Sequence, residues 1–163
     1  MSDVYLTRIQ SPIGRIEVLS DGDAVTGLSI ERDGHLPHDE VPPRTCAVLD
    51  DAVAQLDEYF AGSRTTFDLP VRLTGTPFQQ AVWAELGRLG WGEATSYGSL
   101  AAAVGRPGAA RAIGGAVGAN PVPIIIGCHR VLAGDGRITG YSGGEGIPTK
   151  QWLLGHEAIG FAA

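Results

Sequence analysis

Residues 124–131 read Ile-Ile-Ile-Gly-Cys-His-Arg-Val, and the interpretation of the whole chain depends on them. The run of three isoleucines predicts a buried strand that ends at Gly127. An imidazole and a guanidinium follow the thiol of Cys128, so we expect its pKa to be lowered and the reactive thiolate to be favoured. Cys128 is therefore a candidate nucleophile. The alternative is that it is a small core residue, as a lone cysteine after an apolar run usually is.

The composition predicts a globular protein without a membrane segment. Of the 163 residues, 44% are hydrophobic and 18% are charged. No apolar run approaches the roughly 20 residues that a membrane span needs, and the N-terminus has no features of a secretory signal. Cys46 and Cys128 are the two cysteines and make no disulfide framework. We therefore expect a cytoplasmic location and no membrane partner.

The charge is distributed unevenly along the chain. The net charge is −6, but residues 96–163 hold five basic and three acidic residues, against 7 and 15 in residues 1–95. A polyanionic partner such as nucleic acid is therefore compatible with the second half only.

The first half has the pattern of an antiparallel sheet followed by a helix. Short alternating runs between residues 4 and 31 are separated by Asp21-Gly22-Asp23, which is typical of a hairpin. Apolar residues then recur at helical spacing from Cys46 to Phe60, and Gly62 is placed to end that helix.

The second half has the pattern of several short helices. The residues Thr76-Pro77-Phe78-Gln79 predict a capping box at a helix start. Helices predicted over 97–104 and 109–119 are joined by a tight turn, which is typical of a helix-turn-helix.

The helix predicted over 109–119 contains the pair Gly114-Gly115, which costs up to about 1 kcal/mol per glycine. Either another helix packs closely against it, or its face is bare so that a bulky partner can approach. Arg111 is its one long side chain, whereas a helix that reads bases in the major groove normally offers several Arg, Asn or Gln side chains. A bare face with one arginine suits the minor groove and a base flipped out of the duplex.

Several motifs of the second half occur in an order that belongs to one known family. They are Ser96-Tyr97-Gly98-Ser99-Leu100-Ala101, Arg111-Ala112-Ile113-Gly114-Gly115-Ala116, Asn120-Pro121-Val122-Pro123-Ile124, Cys128-His129-Arg130-Val131, Gly140-Tyr141-Ser142-Gly143-Gly144, Lys150-Gln151-Trp152-Leu153-Leu154 and His156-Glu157. From about residue 76 to 157 the chain thereby resembles the O6-alkylguanine-DNA alkyltransferases. Its first 70 residues match in general layout only.

The resemblance implies a two-domain protein that repairs DNA by direct reversal. An α/β N-terminal domain, with an antiparallel sheet and a helix, would span 1–74, and a mostly helical C-terminal domain with the helix-turn-helix would span 75–163. The implied enzyme is a methylated-DNA–protein-cysteine S-methyltransferase. It moves an alkyl group irreversibly from O6-alkylguanine, or O4-alkylthymine, to Cys128 and acts once. The implied partner is double-stranded DNA carrying the lesion, bound by a monomer without a cofactor.

The resemblance also assigns roles to individual residues. His129 would be the base, reaching Cys128 through a water, and Glu157 would orient it. Tyr97 would donate to the guanine ring, and Asn120 would brace the turn that holds Cys128. The substrate pocket would comprise Tyr141, Ser142, Val131 and Arg130, with Arg130 as structural support. The DNA-binding face would comprise Arg111, which replaces the flipped base, and Ala109, Ala110, Ala112, Gly114 and Gly115.

Two positions qualify the resemblance. The family has proline where this chain has Gly127, and we expect the glycine to loosen the backbone before Cys128. Some family members carry a structural zinc in the first domain. Here the candidates are His35, His38 and Cys46, which fall short of the usual four ligands, so we expect no metal site.

Three other functions are compatible with parts of the sequence. A non-catalytic sensor of alkylated DNA would share the fold, but that group lacks the cysteine. A thiol hydrolase could use Cys128-His129-Glu157, but it would not need the Gly-Gly helix. A sequence-specific regulator would need more base-reading side chains than this helix-turn-helix offers.

Overall fold

A computed structural model describes residues 4–162, which divide into two compact units. The first unit comprises the described part of Met1–Leu73 together with Gly143–Glu145, and the second comprises Thr74–Ser142 and the described part of Gly146–Ala163. None of the helices in this range is long and apolar enough to span a membrane.

The first unit is built on a three-stranded antiparallel sheet in the order β1-β2-β3, as the sequence predicts. The strands are β1 (Tyr5–Ile9), β2 (Ile16–Ser20) and β3 (Val25–Ile30). Tyr5 pairs with Ser20 and Ile16 pairs with Ile30, and the turn between β2 and β3 places Gly22 at a φ of 102°. This positive φ explains why the hairpin uses glycine there.

Helix α1 (Ala47–Phe60) packs on the sheet through an apolar face. It ends as predicted, because Gly62 has a φ of 81° and its N–H donates to Tyr59 O while Ser63 N donates to Glu58 O. The buried Gln55 side chain exchanges two hydrogen bonds with the backbone of Asp68, which fixes the extended segment after the helix.

A buried carboxylate occupies one part of the first unit. Glu17 is fully buried, and its Oε2 lies 2.7 Å from Nδ1 of His38 while its Oε1 lies 3.7 Å from Nε of Arg8. Within residues 4–162 no three His, Cys, Asp or Glu side chains are grouped to hold a metal ion. The partner of the His38 ring is thus the carboxylate of Glu17.

The second unit is mostly helical. Its elements are α2 (Pro77–Leu86), β4 (Thr95–Ser96), α3 (Tyr97–Ala103), α4 (Ala110–Gly118), a 3-10 helix (Cys128–Arg130), β5 (Val131–Leu132) and α5 (Ile147–His156). The predicted capping box at Thr76 and Gln79 is present. Helix α4 packs on α2 and α3, and Nε1 of Trp83 donates to Ala116 O at 2.9 Å. Helices α3 and α4 with their turn form the predicted helix-turn-helix pair.

The prediction of a strand at residues 124–126 is wrong. Ile124 has a φ of 74°, and the segment forms a tight turn with one isolated bridge between Pro123 and Ile126. The side chain of Asn120 replaces a strand partner, since its Nδ2 donates to Ile126 O at 2.8 Å and its Oδ1 accepts from Val122 N at 3.0 Å. A polar side chain that bonds nearby backbone groups competes in this way with regular structure.

Candidate active site

Cys128 is the first residue of the 3-10 helix and lies at the wall of a cavity of about 410 Å³. The parallel pairing of Thr95 with Val131 brings the start of α3 next to this helix, so that Tyr97 faces the same cavity. The lining residues are Tyr97, Ala110, Arg111, Gly114, Val117, Gly118, Cys128, Thr139, Gly140, Tyr141, Ser142 and Lys150. The cavity therefore gathers a thiol, two phenols and two cationic side chains.

The thiol of Cys128 is buried, and burial raises its pKa. Hydrogen bonds with Asn120 and Tyr141 and the charge of Lys150 act in the opposite direction, but they are smaller effects. Sγ lies 4.0 Å from Oη of Tyr141. The expectation of a lowered pKa is therefore wrong for this structure, in which the resting thiol is protonated.

His129 and Arg130 both bind Glu157. Nε2 of His129 lies 2.7 Å from Oε2 of Glu157, and Nε and Nη2 of Arg130 donate to the two carboxylate oxygens at 2.7 and 3.1 Å. Nη1 of Arg130 also donates to Leu89 O at 2.8 Å. Glu157 follows α5 directly and is fully buried, so one carboxylate fixes both side chains.

The imidazole of His129 is neutral, because burial lowers its pKa more than the neighbouring carboxylate raises it. A carboxylate only accepts hydrogen bonds, so Nε2 carries the proton that it donates to Glu157. Nδ1 is then an acceptor, and it is buried without a hydrogen-bond partner among residues 4–162. This ring can accept a proton at Nδ1.

Lys150 is a functional candidate that sequence reasoning did not select. It is 1% exposed, and its Nζ donates to Val131 O at 2.6 Å and Gly140 O at 3.1 Å. Burial lowers its pKa, while Cys128 raises it. Lys150 is the only lysine in a chain that otherwise uses arginine, and this was the available sequence clue.

The exposed face of α4 is bare, as the second interpretation of its glycines predicts. Ile113, Ala116 and Val117 form the buried face. A Cβ built on Gly115 meets no atom within 4 Å, and one built on Gly114 meets only a ring carbon of Tyr97 at 4.0 Å. Packing within residues 4–162 therefore does not require either glycine.

Not every residue assigned from the resemblance lines the cavity. Arg111, Ala110 and Gly114 do so, whereas Ala109, Ala112 and Gly115 do not. Among the pocket residues, Tyr141 and Ser142 line it, and Ser142 Oγ donates to Gly118 O at 2.9 Å. Val131 and Arg130 are not among the lining residues, and the carbonyl of Val131 accepts from Lys150, which does line the cavity.

Gly127 provides room for Arg130. Its φ of −75° is one that proline adopts, so its backbone uses no glycine-specific conformation. A Cβ at this position would lie 2.9 Å from Cδ and from Nη1 of Arg130. Since Glu157 and Leu89 O hold that guanidinium, a side chain at position 127 must displace it.

Gly127→Ala is therefore expected to lower the free energy of unfolding by about 1–3 kcal/mol through overpacking. The measurement is urea unfolding beside Gly134→Ala, the matched control, because a Cβ on Gly134 meets no atom within 4 Å. Equal stability of the two variants would show that the Arg130 side chain moves aside without a loss in the free energy of unfolding.

Family models match nearly the whole described chain. The 6-O-methylguanine DNA methyltransferase ribonuclease-like domain matches residues 4–73, and the DNA binding domain of the same name matches residues 77–159. A methylated-DNA–protein-cysteine methyltransferase of Haemophilus influenzae is 39% identical over 98% of this chain and 89% of its own length. The constitutive one of Bacillus subtilis is 40% identical over 96% and 97%.

Solved structures give the same result. The O6-methylguanine methyltransferase of Mycobacterium tuberculosis superposes with a TM-score of 0.85 at 41% identity, covering 99% of this chain and 97% of that one. A structure from the same organism in complex with DNA has a TM-score of 0.84 at 42% identity, covering 94% and 92%.

Proposed function

Because the chain belongs to the 6-O-methylguanine DNA methyltransferase family, we propose that Cys128 is the residue that accepts an alkyl group from O6-alkylguanine in DNA. The activity is direct-reversal DNA repair by alkyl transfer to a cysteine. The observation that carries the assignment is the position of Cys128 at the wall of a cavity that Tyr97, Tyr141 and Arg111 also line. Cys46, the other cysteine, lies in the first unit at the start of α1.

The reaction is a displacement at the alkyl carbon. The proton of the Cys128 thiol passes through a bridging water to Nδ1 of His129, whose Nε2 is held by Glu157. The sulfur then forms a bond to the alkyl carbon as the bond from that carbon to O6 breaks. The electron pair of that bond goes to the guanine ring, which takes a proton or hydrogen bond from Tyr97. The thioether is stable, so each molecule acts once.

The cavity suits a guanine that has left the duplex. Its volume of about 410 Å³ lies in the range of small-molecule sites. The hydroxyl of Tyr97 is next to Thr139, whose Oγ1 lies 3.3 Å away, and Tyr141 borders the thiol where the alkyl group must arrive. The backbone of Ser142 is the candidate donor to O6, and the carbonyls of Cys128 and Val131 are the candidate acceptors for the exocyclic amine.

The bare face of α4 is the proposed contact with the minor groove. Arg111 is exposed at the mouth of the cavity, where it can fill the place of the extruded base. The partner on this proposal is duplex DNA carrying O6-alkylguanine or O4-alkylthymine, bound by a monomer.

The test of this function is peptide mass spectrometry after incubation with duplex DNA that contains O6-methylguanine. We expect one methyl group per molecule, located on Cys128, and no further turnover. The Cys128→Ala variant should bind the same DNA and remain unmodified, while Cys46→Ala should behave as the unaltered protein. A methyl group on another residue, or none, would refute the proposal.

Arg111→Ala is expected to slow transfer from duplex DNA by about 10-fold or more, since a few kcal/mol of unstacking are then no longer offset. Transfer from a free O6-alkylguanine base should change less than about twofold, because no base has to be extruded. The measurement is single-turnover kinetics with both substrates. Equal losses on the two substrates would contradict the role in base flipping.

A further inference from the structure

The basic side chains of the second unit differ in whether they already have carboxylate or carbonyl partners. Four have partners: Arg88 lies 3.9 Å from Glu85, Arg137 lies 3.4 Å from Asp135, Arg130 binds Glu157, and Lys150 donates to two carbonyls. Arg106 and Arg111 are exposed and have no carboxylate or carbonyl partner for their side chains within the described range. Among the described residues of this unit, the exposed arginines without such partners therefore lie at the two ends of one turn.

Arg106 differs from Arg111 in that an aromatic ring holds it. It lies in the turn between α3 and α4, and its guanidinium carbon lies 5.2 Å from the centroid of the Phe78 ring in α2. A ring restrains a guanidinium by cation–π attraction without cancelling its charge. A carboxylate in the same place would have neutralised it. Arg106 is thus charged, exposed and restricted in its rotamers.

We propose that Arg106, held against Phe78, binds a phosphate of the DNA backbone beside the groove that α4 enters. This inference rests on the proposed function, because α4 must lie in the groove for its preceding turn to face the backbone. The guanidinium fork matches phosphate oxygens, and prior restraint by the ring reduces the entropy lost on binding. The contact positions the protein without reading sequence.

The chain offers few cationic side chains for binding DNA, so a single additional phosphate contact is significant. The chain has a net charge of −6, and α4 offers a single cation. Each phosphate that a basic residue neutralises releases counterions and adds about one to the steepness of the salt dependence of binding. With so few free cations, the loss of one should be easy to measure.

The experiment measures the affinity of the full chain for a duplex containing O6-methylguanine at several salt concentrations. A Cys128→Ala background prevents transfer during the measurement. Arg106→Ala should weaken binding by about 5- to 10-fold and lower the magnitude of the slope of log K against log salt by about one. Arg137→Ala, which removes an exposed but paired arginine of the same unit, should leave both values unchanged.

The role of the ring is tested by Phe78→Leu, which keeps the charge of Arg106 and removes its restraint. We expect a smaller loss, of about two- to threefold, with the salt slope retained. The double variant Phe78→Leu/Arg106→Ala should bind no more weakly than Arg106→Ala alone. Additive losses would show that Phe78 acts independently of Arg106.

A free O6-alkylguanine base separates failure of this inference from failure of the proposed function. With Cys128 in place, Arg106→Ala and Arg106→Gln should both accept the alkyl group from the free base at the unaltered rate. Wild-type affinity and slope in these variants would overturn the phosphate contact and leave the repair function standing. Loss of free-base transfer in both Arg106 variants would also overturn the phosphate contact. A residue that contacts only phosphate lies outside the cavity, so its replacement leaves transfer from a free base unchanged.

Discussion

Glu157→Gln is expected to lower the free energy of unfolding by about 3–5 kcal/mol and to slow alkyl transfer by at least about 100-fold. The carboxylate binds Arg130 through two donors and His129 through Nε2, and all three side chains are buried. An amide accepts through only one oxygen and carries no charge. The variant therefore leaves a guanidinium buried without its counter-charge, and that is the origin of the large loss of stability.

The slower transfer has a separate cause from the lower stability. The neutral amide of the Glu157→Gln variant can donate a hydrogen bond to Nε2 of His129, and this favours the tautomer that carries its proton on Nδ1. A protonated Nδ1 can no longer accept the proton of the thiol. Transfer must therefore be timed with a free base at a temperature where unfolding curves show the variant folded. Glu85→Gln is the matched control, because the half-buried Glu85 pairs with an exposed arginine, Arg88, and such a surface ion pair contributes at most about 1 kcal/mol.

A double-mutant cycle distinguishes the ion pair from general loss of packing. Arg130→Met removes the guanidinium, so the double variant Arg130→Met/Glu157→Gln should recover part of the stability that Glu157→Gln loses. Its transfer rate should remain low, since His129 still lacks its carboxylate. If the double variant is less stable than the unaltered protein by the sum of the losses of the two single variants, the two residues are not coupled.

Lys150→Gln is expected to move the pH–rate profile of transfer to higher pH by about one unit. The positive charge of Lys150 lowers the pKa of Cys128 in opposition to burial. Without that charge the pKa of the thiol rises further, a smaller fraction is thiolate at neutral pH, and transfer slows. Because the thiolate still forms at higher pH, the rate should recover there.

The comparison with Lys150→Met separates charge from position. Glutamine can still donate to Val131 O or Gly140 O, whereas methionine cannot, so only the methionine variant loses the hydrogen bonds. If charge is responsible, both variants show the same displaced profile in free-base transfer. If Lys150 acts only by holding the two carbonyls, Lys150→Gln keeps the original profile and Lys150→Met loses rate at every pH.

The features predicted correctly from sequence are those with local causes. The capping box at Thr76, the glycine after α1 and the hairpin at Gly22 each follow from a few neighbouring residues. The isoleucine run failed because its fold depends on Asn120, a side chain outside the run that supplies the backbone hydrogen bonds. Ile124 at a φ of 74° is a conformation that β-branched residues rarely adopt, so no local pattern predicts it.

The electrostatics of the thiol could not be predicted from residue order. In a 3-10 helix successive side chains point about 120° apart, so neighbours in sequence face different surroundings. His129 and Arg130 accordingly turn to Glu157, and the cation that acts on Cys128 is Lys150 of α5. This electrostatic interaction joins residues of two different helices, so no periodic pattern in the sequence indicates it.

The burial of Cys128 protects the thiol against side reactions in the resting protein. A thiol that is 3% exposed and protonated at neutral pH reacts slowly with peroxides, disulfides and adventitious electrophiles. For a catalyst such reactions cost one turnover, but here each would discard an entire polypeptide. A thiol that stays protonated in the resting protein would thus conserve a stock that the cell can replenish only by new synthesis.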